Sequence, residues 1–97
     1  MPYTVSAEAD EDYFAIYRIG KEQFGAAQAD KYALSLDRVF RFLGDFPQAA
    51  RERSEIDPPI RAHPTGSHVV IYQIERDGSV TILRVRHMAE DWTSNPL

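Results

Sequence analysis

Three side chains near the end of this 97-residue chain could take part in chemistry: Arg84, Arg86 and His87. They close the run SHVVIYQIERDGSVTILRVRH, from Ser67 to His87. A guanidinium binds phosphate or carboxylate through paired N–H donors, and an imidazole gives or takes a proton near neutral pH. Arginines beside a histidine would suit RNA cleavage by attack of a 2′-hydroxyl, which needs proton transfer and anion stabilisation together. The same groups would equally pair with carboxylates of a protein partner. They would also serve as exposed sheet residues that blunt an edge. Residue chemistry alone leaves all three readings open. Other motifs are missing. The five glycines are scattered, so no phosphate-binding loop is present. There is no cysteine, which excludes a disulfide framework and a thiolate zinc site. His63, His68 and His87 lack metal-ligand spacing, although from different strands they could converge. No cofactor and no metal are expected.

Two strands and a turn must position these groups. Val69 to Ile74 is almost wholly β-branched or aromatic and reads as a central, buried strand. Asp77-Gly78 reads as a two-residue hairpin turn, and Val80 to Val85 as the return strand. Strict alternation puts Ile82, Arg84 and Arg86 on one face and Leu83, Val85 and His87 on the other. Arg61 lies on a short strand starting at Ile60, with Pro64-Thr65-Gly66 turning out of it, and is expected to reach the same sheet surface as one of these groups.

Upstream, Tyr3-Thr4-Val5 is a short strand and Ser6 an N-cap. Glu8, Asp10, Glu11 and Asp12 crowd the next turns, where the helix dipole favours carboxylates. Tyr13, Ile16, Tyr17, Gly20 and Phe24 form one helical stripe. Gly20 would allow close approach by a neighbouring helix, and Gly25 suits the helix end. Ala29, Tyr32, Ala33, Leu36, Val39, Phe40, Leu43 and Phe46 form a second stripe, which Pro47 stops. So short a link implies an antiparallel helical hairpin. Gln48 to Pro59 reads as a surface loop. Met88 to Trp92 reads as one more helical turn. The order β-α-α-β-β-β predicts one α+β domain over residues 1–97: a helical hairpin on one face of a small antiparallel sheet. Little chain remains to cover the other face.

The net charge is −4, and the excess acid sits early. Residues 1–30 carry six acids and two bases; residues 31–97 carry nine of each. Extensive direct binding of nucleic acid is therefore disfavoured. No apolar run approaches the roughly 20 residues that span a bilayer, so no membrane association is expected. The opening MPYTVSAEAD has no basic segment followed by an apolar one. A cytoplasmic location is expected.

Three stretches together carry a family resemblance: Ser6 to Gly25, QADKYALSLDRVFRFLGDFPQAAR, and SHVVIYQIERDGSVTILRVRH. The most telling pieces are Gly66-Ser67-His68-Val69-Val70-Ile71-Tyr72 and Ile82-Leu83-Arg84-Val85 with His87. The Phe46-Pro47 stop followed by Arg51 adds to them. Over about residues 3 to 92 the chain resembles the ParE toxins of bacterial type II toxin–antitoxin systems, within the RelE/ParE superfamily. The resemblance implies a toxin that inhibits DNA gyrase by stalling its cleaved complex. It implies neutralisation by a ParD-type antitoxin in a hetero-oligomer, with nucleic acid met only through the antitoxin complex. RelE-type relatives instead cut messenger RNA on the ribosome. They share a set of lysine, arginine, glutamate or histidine and often a late tyrosine. Here Arg61, Arg84 and His87 stand at comparable places, but no tyrosine follows Tyr72, and the only lysines are Lys21 and Lys31. The acidic balance also departs from many ParE relatives. The gyrase-directed, non-enzymatic reading is favoured; the alternatives are a ribosome-dependent endoribonuclease and a non-toxic remnant that only binds antitoxin. Antitoxin contacts are expected at Tyr13, Phe14, Tyr17, Arg61 and Arg84. Target contacts are expected at Arg84, His87 and Trp92.

Overall fold

A computed structural model describes residues 2–97. β1 (Tyr3–Val5) leads into α1 (Ala7–Phe24), and α2 (Ala26–Asp45) follows after one residue. A 3-10 turn over Pro47–Ala49 and a two-residue strand, β2 (Glu52–Arg53), precede β3 (Ile60–Thr65), β4 (His68–Ile74) and β5 (Val80–His87). All five strands form one sheet in the order β1-β5-β4-β3-β2. The α+β class and the helical hairpin are as predicted. Two features of the sheet differ. The segment read as a plain loop contributes β2, and β1 pairs with β5 in parallel, so the sheet is mixed rather than antiparallel throughout. A parallel pair needs a long crossover, and here nearly the whole chain supplies it.

Local rules explain the helices. Ser6 Oγ accepts the Ala9 N–H at 3.0 Å and starts α1. Gly25, at φ +87°, ends it, a backbone angle that glycine adopts without strain. Gly20 faces buried Ala29, but a methyl there would sit at an ordinary 3.7 Å from the Ala29 Cβ, so close approach does not demand glycine. Leu36, Phe40 and Leu43 of α2 pack on Val70, Tyr72, Val80, Ile82 and Val85. Fully burying an apolar side chain of this size stabilises the fold by about 1.5–3 kcal/mol. Tyr72 ties the end of α2 to the sheet: its hydroxyl donates to the Pro47 carbonyl at 2.7 Å and accepts the Ala50 N–H at 3.2 Å.

The β4–β5 hairpin departs from strict alternation. Ile71 stands opposite Arg84 but Tyr72 opposite Ile82, so Leu83 is an extra residue, a β-bulge. The bulge resets the phase. Ile82 and Val85 both enter the core under the helices, while Leu83 packs on the other sheet face. Ile82 therefore does not share a face with Arg86, as simple alternation had it. The turn also differs. The Gly78 N–H donates to the Glu75 carbonyl and the Glu75 N–H to the Ser79 carbonyl, enclosing three residues. Asp77 is not at positive φ, which a two-residue Asp-Gly turn of the mirror-image type would require; only Gly78 is, at +89°.

The second sheet face is covered. Ile60, Ala62, Val69 and Ile71 are buried there beneath Ile56 of the 54–59 loop, with Leu83 and Trp92 packed alongside. The loop is thus anchored by an apolar residue that its charged neighbours masked. Residues 88–92 form a hydrogen-bonded turn (Glu90 N–H to the His87 carbonyl, 3.0 Å) and not a helix.

Candidate functional site

A groove of about 610 Å³ opens between the helical hairpin and the end of the sheet nearest the β3–β4 turn. Asp12, Ile16, Ile19 and Gln23 line it from α1. Their spacing makes a second helical stripe beside the one that packs on α2. Phe24 closes one end; Tyr32, His68, Val85 and His87 form the other. Ile19 is 48% exposed and Phe24 69%. Apolar exposure around a concavity is a feature shared by ligand-binding grooves and protein-interaction surfaces.

The sheet end of the groove is polar and tightly tied. Tyr32 of α2 reaches over the β3–β4 turn, where its hydroxyl lies 2.6 Å from His68 Nδ1 and accepts the Ser67 N–H at 3.2 Å. Burial holds the Tyr32 hydroxyl above the usual tyrosine range. His68 and His87 are direct partners across β4 and β5, with ring centroids 5.2 Å apart. Burial, and then the neighbouring His87, hold His68 below the usual histidine range. Gly66 makes the arrangement fit. A Cβ there would come within 2.8 Å of the Tyr32 hydroxyl, and its φ is +56°. Gly66→Ala is therefore expected to cost about 1–2 kcal/mol through backbone strain and displacement of the ring. A urea unfolding series would measure this, and a Tyr32→Phe, Gly66→Ala double variant should recover little, because the ring itself is in the way.

One carboxylate fastens α1 to β5. Asp12 holds Arg84 through two contacts, Nε to Oδ2 at 2.7 Å and Nη2 to Oδ1 at 2.9 Å. It also accepts the Val85 N–H at 2.9 Å. Both side chains are largely buried, 22% and 17% exposed. The paired carboxylate holds Arg84 even further above neutrality than a free guanidinium. Arg86 is engaged in the same way, with Glu90 at 2.7 Å. Glu90 also takes the His87 N–H at 3.0 Å, and its carboxyl lies below the usual range because of that backbone bond and then Arg86.

The residues singled out in the sequence do not meet at one place. His87 lines the groove. Arg84 lies at its edge but is committed to Asp12. Tyr13 and Tyr17 hydrogen-bond across the helix pair, to Asp37 at 3.3 Å and Asp30 at 2.6 Å. Phe14 points outward, 58% exposed. Arg61 donates to the Ala50 carbonyl at 2.6 Å beside Tyr72, on the helix-facing side of the sheet but away from the groove. Trp92 lies on the second sheet face beneath Arg53, whose guanidinium is 5.2 Å from the ring centre. Ile19, Phe24, Tyr32 and His68 escaped the sequence reading as a set. The only signal available was the minor stripe on α1 and the opposition of two histidines across a predicted hairpin. Among the described residues no group of three or more His, Asp or Glu side chains could hold a metal ion. None of their helices is long and apolar enough to cross a membrane.

The family model described as ParE toxin of type II toxin-antitoxin system, parDE, matches residues 3–92. The chain belongs to the ParE toxin family. Among the similar relatives, Toxin ParE1 of Mycobacterium tuberculosis is 27% identical over 93 residues, covering 96% of this chain and 95% of that protein. Toxin ParE1 of Caulobacter vibrioides is 28% identical over 88 residues, covering 91% of this chain and 90% of that protein. A chain of the chromosomal ParDE TA system from P. aeruginosa shares the fold, with a TM-score of 0.74 at 21% identity over 90% of this chain and 95% of that one. The ParE-type strings Gly66–Tyr72 and Ile82–His87 occupy the paired β4 and β5 strands, and His68 and His87 from these strings are the pair that closes the groove.

Proposed function

We propose that this ParE-family chain is a cytoplasmic toxin that binds DNA gyrase and blocks it as a protein inhibitor, without making or breaking bonds itself. A ParD-type antitoxin neutralises it. The observation that supports this most is the groove: a concave apolar surface with Ile19 and Phe24 open to solvent. A disordered antitoxin segment that folds on binding would lay its apolar side there. Phe14 flanks the hairpin as a further contact, while Tyr13, Tyr17 and Arg61 hold the surrounding frame. His87, at the groove mouth, is shared with the target surface, so that docking hides it. Arg84 and Trp92 shape that surface from beneath. The state of the arginines favours this reading over a nuclease. Arg84 and Arg86 are both paired with carboxylates of the same chain, which leaves neither guanidinium ready to hold a phosphate.

Expression of the chain without antitoxin is the test. DNA damage and a block in replication are expected, with relief by gyrase variants. Rapid arrest of translation with cut messages would replace this reading by a ribosome-dependent nuclease. Unimpaired growth would reduce the chain to an antitoxin-binding remnant.

A further inference from the structure

The two histidines at the groove mouth form a second kind of surface. His87 Nδ1 accepts the Ala89 N–H at 3.0 Å. A backbone amide can only donate, so neutral His87 carries its proton on Nε2. Tyr32 already accepts from Ser67, and its own proton has two acceptors to choose from: His68 Nδ1 at 2.6 Å or the Thr65 carbonyl at 3.4 Å. The shorter contact takes it. Neutral His68 therefore also carries its proton on Nε2. Neither Nε2 makes a hydrogen bond among the described residues, and no buried side-chain nitrogen is left unsatisfied. The Nε2–H of half-buried His68 therefore reaches solvent, as does that of exposed His87. The groove thus ends in two N–H donors on neighbouring imidazoles, 5.2 Å apart between ring centres.

We infer that His68 and His87 form a carboxylate-binding site, filled by an aspartate or glutamate side chain of the antitoxin segment that docks in the groove. The partner is thereby specified as apolar along α1 and acidic at the sheet end. This rests on the antitoxin reading above. The charges that surround the site permit an anion. Asp12 of α1 is neutralised by Arg84, and Glu90 of the tail by Arg86; Tyr32 of α2 supplies a neutral hydroxyl. If the bound anion favours the imidazolium and His68 takes a proton from solvent, Tyr32 can reverse, accepting from Nδ1–H and donating to the Thr65 carbonyl.

Two measurements decide it. The isolated chain is titrated with sodium acetate at fixed ionic strength while the histidine side-chain nitrogens are followed by NMR, with chloride and phosphate as controls. Saturable shifts of both Nε2 signals with acetate, and a rise in the pH at which His68 titrates, are expected. Equal shifts with chloride would refute the site. A stronger response to phosphate would reassign it to a nucleic-acid or nucleotide ligand. In the second measurement, the product of the reading frame adjoining the toxin's, the expected antitoxin, is bound to wild type, His68→Phe and His87→Phe, with thermal melting to confirm folding. A loss on the order of tenfold per imidazole is expected, and unchanged affinity would overturn the assignment of the anion to the antitoxin. If that protein fails to bind wild type, the antitoxin reading falls and the inferred occupant with it. The acetate titration still decides separately whether the two imidazoles bind carboxylate.

Discussion

Asp12→Ala is expected to destabilise the chain by about 3 kcal/mol, a large share of the stability of so small a domain. The variant leaves a largely buried guanidinium without its carboxylate and the Val85 N–H without an acceptor. An unmade bond to a charged group costs more than the bond itself contributes. Asp12→Asn keeps an acceptor for Val85 but not the charge, and should fall between the two. Chemical denaturation of the three proteins measures this. A loss below about 1 kcal/mol for Asp12→Ala would show that the pair behaves as an ordinary surface ion pair. Because Asp12 also lines the groove, the variant should weaken antitoxin binding even under conditions where it remains folded.

Ile19→Glu is expected to weaken antitoxin binding roughly 100-fold, since it sets an unpaired charge in the centre of an apolar contact. Ile19 is half exposed in the free chain, so folding and melting temperature should change little. In cells the variant should remain toxic yet escape rescue by co-expressed antitoxin. Titration calorimetry supplies the affinity. An affinity equal to wild type would move the antitoxin away from this groove.

The elements were legible where the signal is local. Ser6, Gly25 and Pro47 mark helix ends through backbone chemistry that needs no tertiary context. The stripes from Tyr13 and Ala29 show which side of each helix packs inward, although Phe24 and Phe46 at their ends, expected in the core, are exposed. The β4 strand declares itself by its unbroken run of branched and aromatic residues. What escaped depends on distant partners. Nothing near Tyr3 announces that it lies beside Val80. The bulge at Leu83 has no sequence mark, yet it decides which of Ile82, Leu83 and Val85 meets the helices. Ile56 is a single apolar residue among charges and prolines, below any periodic test. Asp12 reads as one more acid near the start of a helix, and only the fold shows that it differs from Glu8 and Asp10. The groove suffers most, because four elements build it and none carries a complete motif for it.

The side-by-side placement of the first and last strands has a consequence for synthesis. A ribosome makes Tyr3–Val5 at the outset and Val80–His87 near the finish. Until the latter leaves the exit tunnel, Tyr3–Val5 has no strand partner, α1 packs on α2 alone and the histidine pair does not exist. An interrupted translation product that lacks β5 therefore lacks the completed groove. The complete groove comes into being in one late step, at which the antitoxin segment proposed to dock there first finds its site.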